Sequence, residues 1–182
     1  MKKRSVMICL LFGMLLWQPV FSQGLKIGIE GQGAFPAGDF KDVAGAGWGA
    51  SALLIVDLGG FGITGNVGYL AFGEQDVNVG EVQGKLSTNA IPVLAGLRLY
   101  LGGGAGAKFH IGGQAGFHRF NVDLKDIPDA VENLDPDRSD TEFSVGPVVG
   151  IEAGSLDLSA VYMIIKDANY VGLRLGFALI NF

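Results

Sequence analysis

The sequence predicts an all-β chain, an eight-stranded antiparallel up-and-down transmembrane β-barrel. Three observations carry that expectation. Apolar residues recur with a period of two from Leu25 onward, which is the repeat of strands and not of helices. Several of these alternating segments exceed ten residues, long for a soluble sheet but matched to a tilted membrane strand of ~9–11 residues. Their connections alternate between long and short, as in barrels with short turns at one rim and longer loops at the other.

The elements follow in order. Strand one spans 25–35, with Leu25, Ile27, Ile29 and Phe35 on one face and Lys26, Gly28, Glu30 and Gln32 on the other. A loop from Pro36 to Gly45 leads to strand two, 46–57, where Trp48, Leu54 and Val56 share a face. The turn Leu58-Gly59-Gly60 opens strand three, 61–72, and a polar stretch over 73–84 separates it from strand four, 86–101. Pro92 inside strand four removes a ladder donor, so a bulge or an irregular start is expected there. Strand five is 107–120, the acidic break 121–140 follows, and strands six, seven and eight are 141–153, 156–166 and 170–182. Leu54, Ile63, Val93, Leu97, Ile111, Val149, Leu158 and Leu175 take the parity of the apolar face and are expected to meet lipid.

The first residues, Met1-Lys2-Lys3-Arg4 and an apolar run from Val6 to Trp17, read as a secretory signal. The run falls short of the ~20 apolar residues a spanning helix needs. Val20 and Ser22 place the expected cut after Ser22, leaving 23–182 as one barrel domain. Cys9 is the only cysteine and lies in that signal, where Ile8 before it does not suit a lipoprotein cleavage site. Residues 1–22 hold three of the 13 basic residues and none of the 18 acidic ones, so the remainder has a formal charge of −8. No basic stripe exists to neutralise phosphates, which excludes a nucleic-acid partner. The 30 glycines would burden a soluble fold but suit a narrow barrel that bends tightly and crowds its lumen.

Some segments go further. They are Phe35-Pro36-Ala37-Gly38-Asp39-Phe40, Ile91-Pro92-Val93, Gly96-Leu97-Arg98-Leu99-Tyr100, and Tyr170-Val171-Gly172-Leu173-Arg174-Leu175-Gly176 with a terminal Phe182. On these the chain resembles the eight-stranded outer-membrane β-barrel proteins of the OmpA/OmpX type, the "outer membrane protein β-barrel domain" variety. The resemblance covers the whole of 23–182 and implies a Gram-negative cell outer membrane as destination. It makes Phe182 a candidate assembly signal for the barrel-insertion machinery, although Phe182 falls on the opposite parity from Leu173 to Leu179 and needs a bulge or a rim position.

Inward parity gathers few charges: Glu30, Arg98, His110, His118, Glu142, Glu152 and Arg174. Closure makes the first and last strands neighbours, so Glu30 and Arg174 are expected to pair, with Arg98 and Glu152 joining the network near the short-turn end. Eight strands leave a lumen only wide enough for side chains to fill, which favours a plug over a gated pore. His110 and His118 stand eight residues apart on one strand, ~26 Å at strand rise, and cannot share a metal. His118 with Ser144 and Glu142 has the composition of a hydrolase trio, but no nucleophile-elbow pattern accompanies it.

The acidic break lacks the spacing of a calcium loop; it reads as a solvated external segment, with divalent bridging to lipopolysaccharide phosphates as the sharper alternative. The glycine clusters lack the strand–loop–helix setting of a nucleotide site. No cofactor and no metal site are expected, and the partners expected are membrane lipid and lipopolysaccharide, the chain itself being a monomer. The function expected is structural or interactive: envelope integrity, adhesion or surface contact through external loops. The alternative is a narrow porin-like channel for small solutes, and a distant one is a lipid-modifying enzyme.

Overall fold

The structure, a computed structural model, describes residues 24–79, 82–104, 106–125 and 137–182. The signal expected at 1–22 and the centre of the acidic break lie outside the described residues. Among the described residues nine strands form in chain order: β1 Leu25–Pro36, β2 Gly45–Asp57, β3 Phe61–Gly73, β4 Gln75–Val79, β5 Val82–Gly104, β6 Ala107–Lys125, β7 Asp137–Ala153, β8 Leu156–Ile165 and β9 Tyr170–Asn181. A single helical element among the described residues, the 3-10 turn Gly38–Asp42, sits in the first connection.

All pairings are antiparallel, in the order β3-β2-β1-β9-β8-β7-β6-β5-β4, and a β3–β5 pairing closes the ring. That seam runs from Phe61 opposite Leu99 to Ala71 opposite Asn89. β3 and β4 both pair with β5, so they form one wall interrupted at Glu74, and the barrel has eight walls. Closure leaves no unpaired edge around the ring, the condition a sheet must meet to cross lipid.

Each strand alternates because one face looks into the lumen and the other away from it. The outward face is apolar. Leu54, Ile63, Val93, Leu97, Ile111, Val149, Leu158 and Leu175 all point outward and are exposed. Aromatic side chains flank this band at both rims. Phe61, Phe109, Phe177 and Phe182 stand near the short turns, and Phe35, Trp48, Tyr69, Phe117, Phe143 and Tyr162 near the long connections. Such paired girdles belong to the two interfaces of a membrane barrel.

Three boundaries differ from the sequence expectation. Residues 75–79 and 82–85 are paired strand rather than loop, and β6 and β7 continue pairing from Asn121 opposite Ser139 to Asp123 opposite Asp137. The apolar alternation ends where the outward band ends, but the hydrogen-bond ladder continues beyond it with polar side chains. Pro92 causes no bulge: β3 and β5 keep one register on both sides of it, from Val67 opposite Val93 to Leu70 opposite Ala90. It interrupts the ladder only where its missing N–H would have donated. A bulge lies instead in β9, where Ile27 faces Ile180 while Gly28 faces Ala178, and register also shifts between Gly45 and Trp48 and between Tyr100 and Gly103. The extra residue, Leu179, shifts the parity of the residues after it, so that Ile180 and Phe182 both turn outward. Phe182 is 76% exposed, and its backbone N–H and C=O both bond Leu25.

Lumen glycines make room for specific side chains. A Cβ on Gly150 would lie 2.6 Å from the His110 ring, and one on Gly172 would lie 2.8 Å from the Gln32 amide.

Candidate functional site

The lumen is stratified. Nearest the short turns lies a charged layer. Arg98 Nη1 donates to Asp157 Oδ2 at 2.6 Å and to Glu152 Oε2 at 3.4 Å. Glu152 also accepts from Lys26 and, at 3.3 Å, from the Tyr100 hydroxyl. His110 Nε2 lies 3.1 Å from Asp157 Oδ2. At the rim, Lys108 bonds Asp57 at 3.0 Å and stands over the Tyr100 ring. Each buried charge thus has an opposite charge in reach, which such a narrow interior requires.

The middle layer centres on Arg174. Its Nε donates to Gln32 Oε1 and its Nη1 to Gln114 Oε1, both at 2.9 Å. Glu30 Oε1 lies 3.6 Å from Arg174 Nε and accepts from Ser51 at 3.1 Å and Asn66 at 3.3 Å. Arg174 therefore stands beside Glu30 but gives its two hydrogen bonds to amides. Its electrostatic coupling to Glu30 is shared with those partners.

Above this, His118 is fully buried, with Nδ1 at 2.9 Å from Ser144 Oγ and Nε2 at 3.0 Å from the Tyr170 hydroxyl. Glu142 is opposite His118 in register and only half-buried. Both ring nitrogens are committed to hydroxyls, so His118 has no carboxylate to orient it and Ser144 has no access to solvent. The arrangement is a buried hydrogen-bond relay and lacks the geometry of a hydrolytic trio.

The long-connection end is apolar. Phe40, Phe72, Phe120 and Tyr170 pack edge to face, with Phe40–Phe72 centroids 5.1 Å apart and Phe40–Phe120 6.2 Å. Ala34, Leu70, Ala90, Leu94, Met163 and Ile165 complete this core. It closes the mouth of the lumen that faces the long connections.

Sequence parity places Glu30, Arg98, Glu152 and Arg174 inward, and the structure distributes them over two layers. The inward charges named from sequence leave out Lys26, Asp57, Lys108 and Asp157, although Lys26 shares the parity of Glu30 and Lys108 that of His110. For Asp157 the signal is present: it shares parity with Ser159 against Leu158 and Ala160. Phe40 is the other omission; it is the one large apolar residue between Ala37 and Asp42. Among the described residues, no group of three His, Cys, Asp or Glu side chains stands close enough to hold a metal.

Beyond the aromatic girdle, β4 to β7 continue as a four-stranded extension. Among the described residues, β4 pairs only with β5 and β7 pairs with β8 only from Ser144 inward, so each outer strand of the extension has one side without a described strand partner. Outward residues here are polar: Lys85, Arg119, Ser139 and Thr141 are exposed.

No family model matches the chain, and no curated protein matches it. Solved structures do. Neisserial surface protein A matches with a TM-score of 0.52 and 14% identity, covering 84% of this chain and 94% of that one. The attachment invasion locus protein of Yersinia pestis, solved in complex with the heparin analogue sucrose octasulfate, matches with a TM-score of 0.55 and 13% identity, covering 88% of this chain and 99% of that one. A second structure of the same Yersinia protein gives a TM-score of 0.51, at 13% identity over 88% and 97% of the two chains. With its ring of eight walls and its alternating connections, the chain has the fold of the eight-stranded outer-membrane β-barrels of the OmpA/OmpX type.

Proposed function

We propose that this protein is an outer-membrane barrel whose work is surface contact, carried out by the β4–β7 extension with the long connections turned outward. The observation that carries this reading is the extension itself. It continues the ladder beyond the apolar band, leaves both outer strands unpaired on one side among the described residues, and turns Lys85, Arg119, Ser139 and Thr141 outward. An open edge is a template for a further strand, and soluble proteins normally blunt it. The apolar outward band and its two girdles support immersion in lipid. Export through residues 1–22, handling of Phe182 by the barrel-insertion machinery, contact with lipopolysaccharide and a monomeric state belong to the same proposal.

The two solved relatives are described as a surface protein and an attachment protein, which supports a contact role. The sulfated ligand of the Yersinia protein does not carry over on charge, because this chain has a formal charge of −5. The aromatic closure of the lumen weighs against an open channel, and the His118 surroundings weigh against catalysis.

The test compares cells bearing the full chain with cells bearing a variant whose 75–84 and 121–140 segments are each replaced by a short turn. Both proteins should reach the membrane and keep a heat-sensitive gel mobility. The reading expects the shortened variant to lose most cell–cell aggregation and adhesion to a host-cell layer. Equal adhesion by both would remove the extension from the function.

A further inference from the structure

The first connection differs from the other described connections in sending a large side chain into the lumen. Phe40 sits on the 3-10 turn Gly38–Asp42, between exposed Asp39 and Lys41, and is itself 5% exposed. Its two aromatic neighbours, Phe72 and Phe120, and Tyr170 beyond Phe72, are fixed on ladder strands β3, β6 and β9. Phe40 is held by much less. The turn closes through Val43 N and Ala44 N on the Phe40 carbonyl, at 3.2 and 3.0 Å, and Ala37 N bonds Asn169 O at 2.8 Å. A single short 3-10 turn has little stability of its own.

Beneath this ring polar side chains run down to the short turns, with Met163, Leu53 and Ile55 buried among them. His118, Ser144 and the Tyr170 hydroxyl come first, then Arg174 with Gln32, Gln114 and Glu30, then Arg98, Asp157, Glu152 and Lys26. All these contacts are made by side chains, which rotate without disturbing the ladder. The aromatic ring caps this column at the long-connection end.

We propose that the Gly38–Asp42 turn is a lid and Phe40 its seal, so that lifting the turn joins the polar column to the long-connection side and admits small ions. The lid is separate from the contact surface on β4–β7, and it acts on the lumen alone.

Planar-bilayer recording on the full chain tests this. Phe40→Ser should raise the open probability at least tenfold over the unaltered protein, while Phe40→Leu, which keeps an apolar plug, should stay near it. A second arm locks the lid. Ala37 and Asn169 are in backbone contact, and Cys9 is the only native cysteine. In a Cys9→Ser background, Ala37→Cys with Asn169→Cys should form a disulfide that suppresses openings until a reductant is added. A Phe40→Ser barrel that keeps its heat-sensitive mobility yet is as silent as the unaltered protein would overturn the proposal. So would a formed lock that leaves openings unchanged. Adhesion measured on Phe40→Ser cells should be unaffected, which separates failure of the lid from failure of the contact role.

Discussion

Replacing Arg98 with Met is expected to destabilise the folded barrel by about 3 kcal/mol, the low end of the range for breaking a buried ion pair. Arg98 is 7% exposed and faces two carboxylates, Asp157 at 2.6 Å and Glu152 at 3.4 Å. Removing the guanidinium leaves both acids in a narrow interior with less compensation. The loss is held to the low end because each acid keeps another partner: Lys26 stays on Glu152 and His110 on Asp157. Met fills the vacated volume, so the cost is electrostatic rather than a cavity. The measurement is urea unfolding of the barrel refolded in lipid vesicles. Adding Asp157→Asn to Arg98→Met should recover part of the loss, since the uncompensated charge is then gone. Lys108→Met serves as the contrast. Lys108 also meets a carboxylate, but its side chain is 46% exposed, and exposed pairs contribute about 0–1 kcal/mol. Equal losses at 98 and 108 would mean that water reaches the inner layer freely.

Leu97→Arg tests the opposite face and should cost about 2–4 kcal/mol in a bilayer, the value for a basic residue at mid-membrane on a barrel exterior. Leu97 is 61% exposed and lies between Ile63 and Gly113 in register, within the apolar outward band. The sign of the effect separates two readings of the same exposed leucine. On a water-facing barrel, adding a charge there would be neutral or would improve solubility. On a lipid-facing barrel it opposes insertion. Folding yield and urea midpoint in vesicles report the difference, and a nitroxide at position 97 should be reached by oxygen rather than by a water-soluble nickel reagent.

Much of the fold is legible because barrel strands obey one rule over their whole length. Period-two alternation locates eight segments, and the alternation of connection lengths fixes which ends share a rim. The inward placement of Glu30, Arg98, Glu152 and Arg174 comes from parity alone. The features that escape are those that depart from lipid-driven alternation. The hairpin ends at 75–79 with 82–85 and at 121–125 with 137–140 are bonded strand without apolar alternation, so their composition reads as loop. The parity of Phe182 depends on an extra residue at Leu179, a backbone event with no residue-type signature. Strand neighbourhood alone matches Arg174 to Glu30. Its bonds to Gln32 and Gln114 show that, once register is fixed, reach and geometry choose partners within a layer. Phe40 stands out as one apolar ring among Asp39, Lys41 and Asp42, but a loop offers no periodicity to give its direction.

The central claim is that this chain closes into a barrel in the outer membrane. Its most direct test is gel mobility of the full chain from separated inner and outer membranes, with and without boiling. A closed barrel resists detergent unfolding because no wall can peel from an edge. The claim requires recovery in the outer-membrane fraction and an unboiled band that runs apart from the boiled one. Recovery in the soluble fraction, or a single mobility in both lanes, would contradict it.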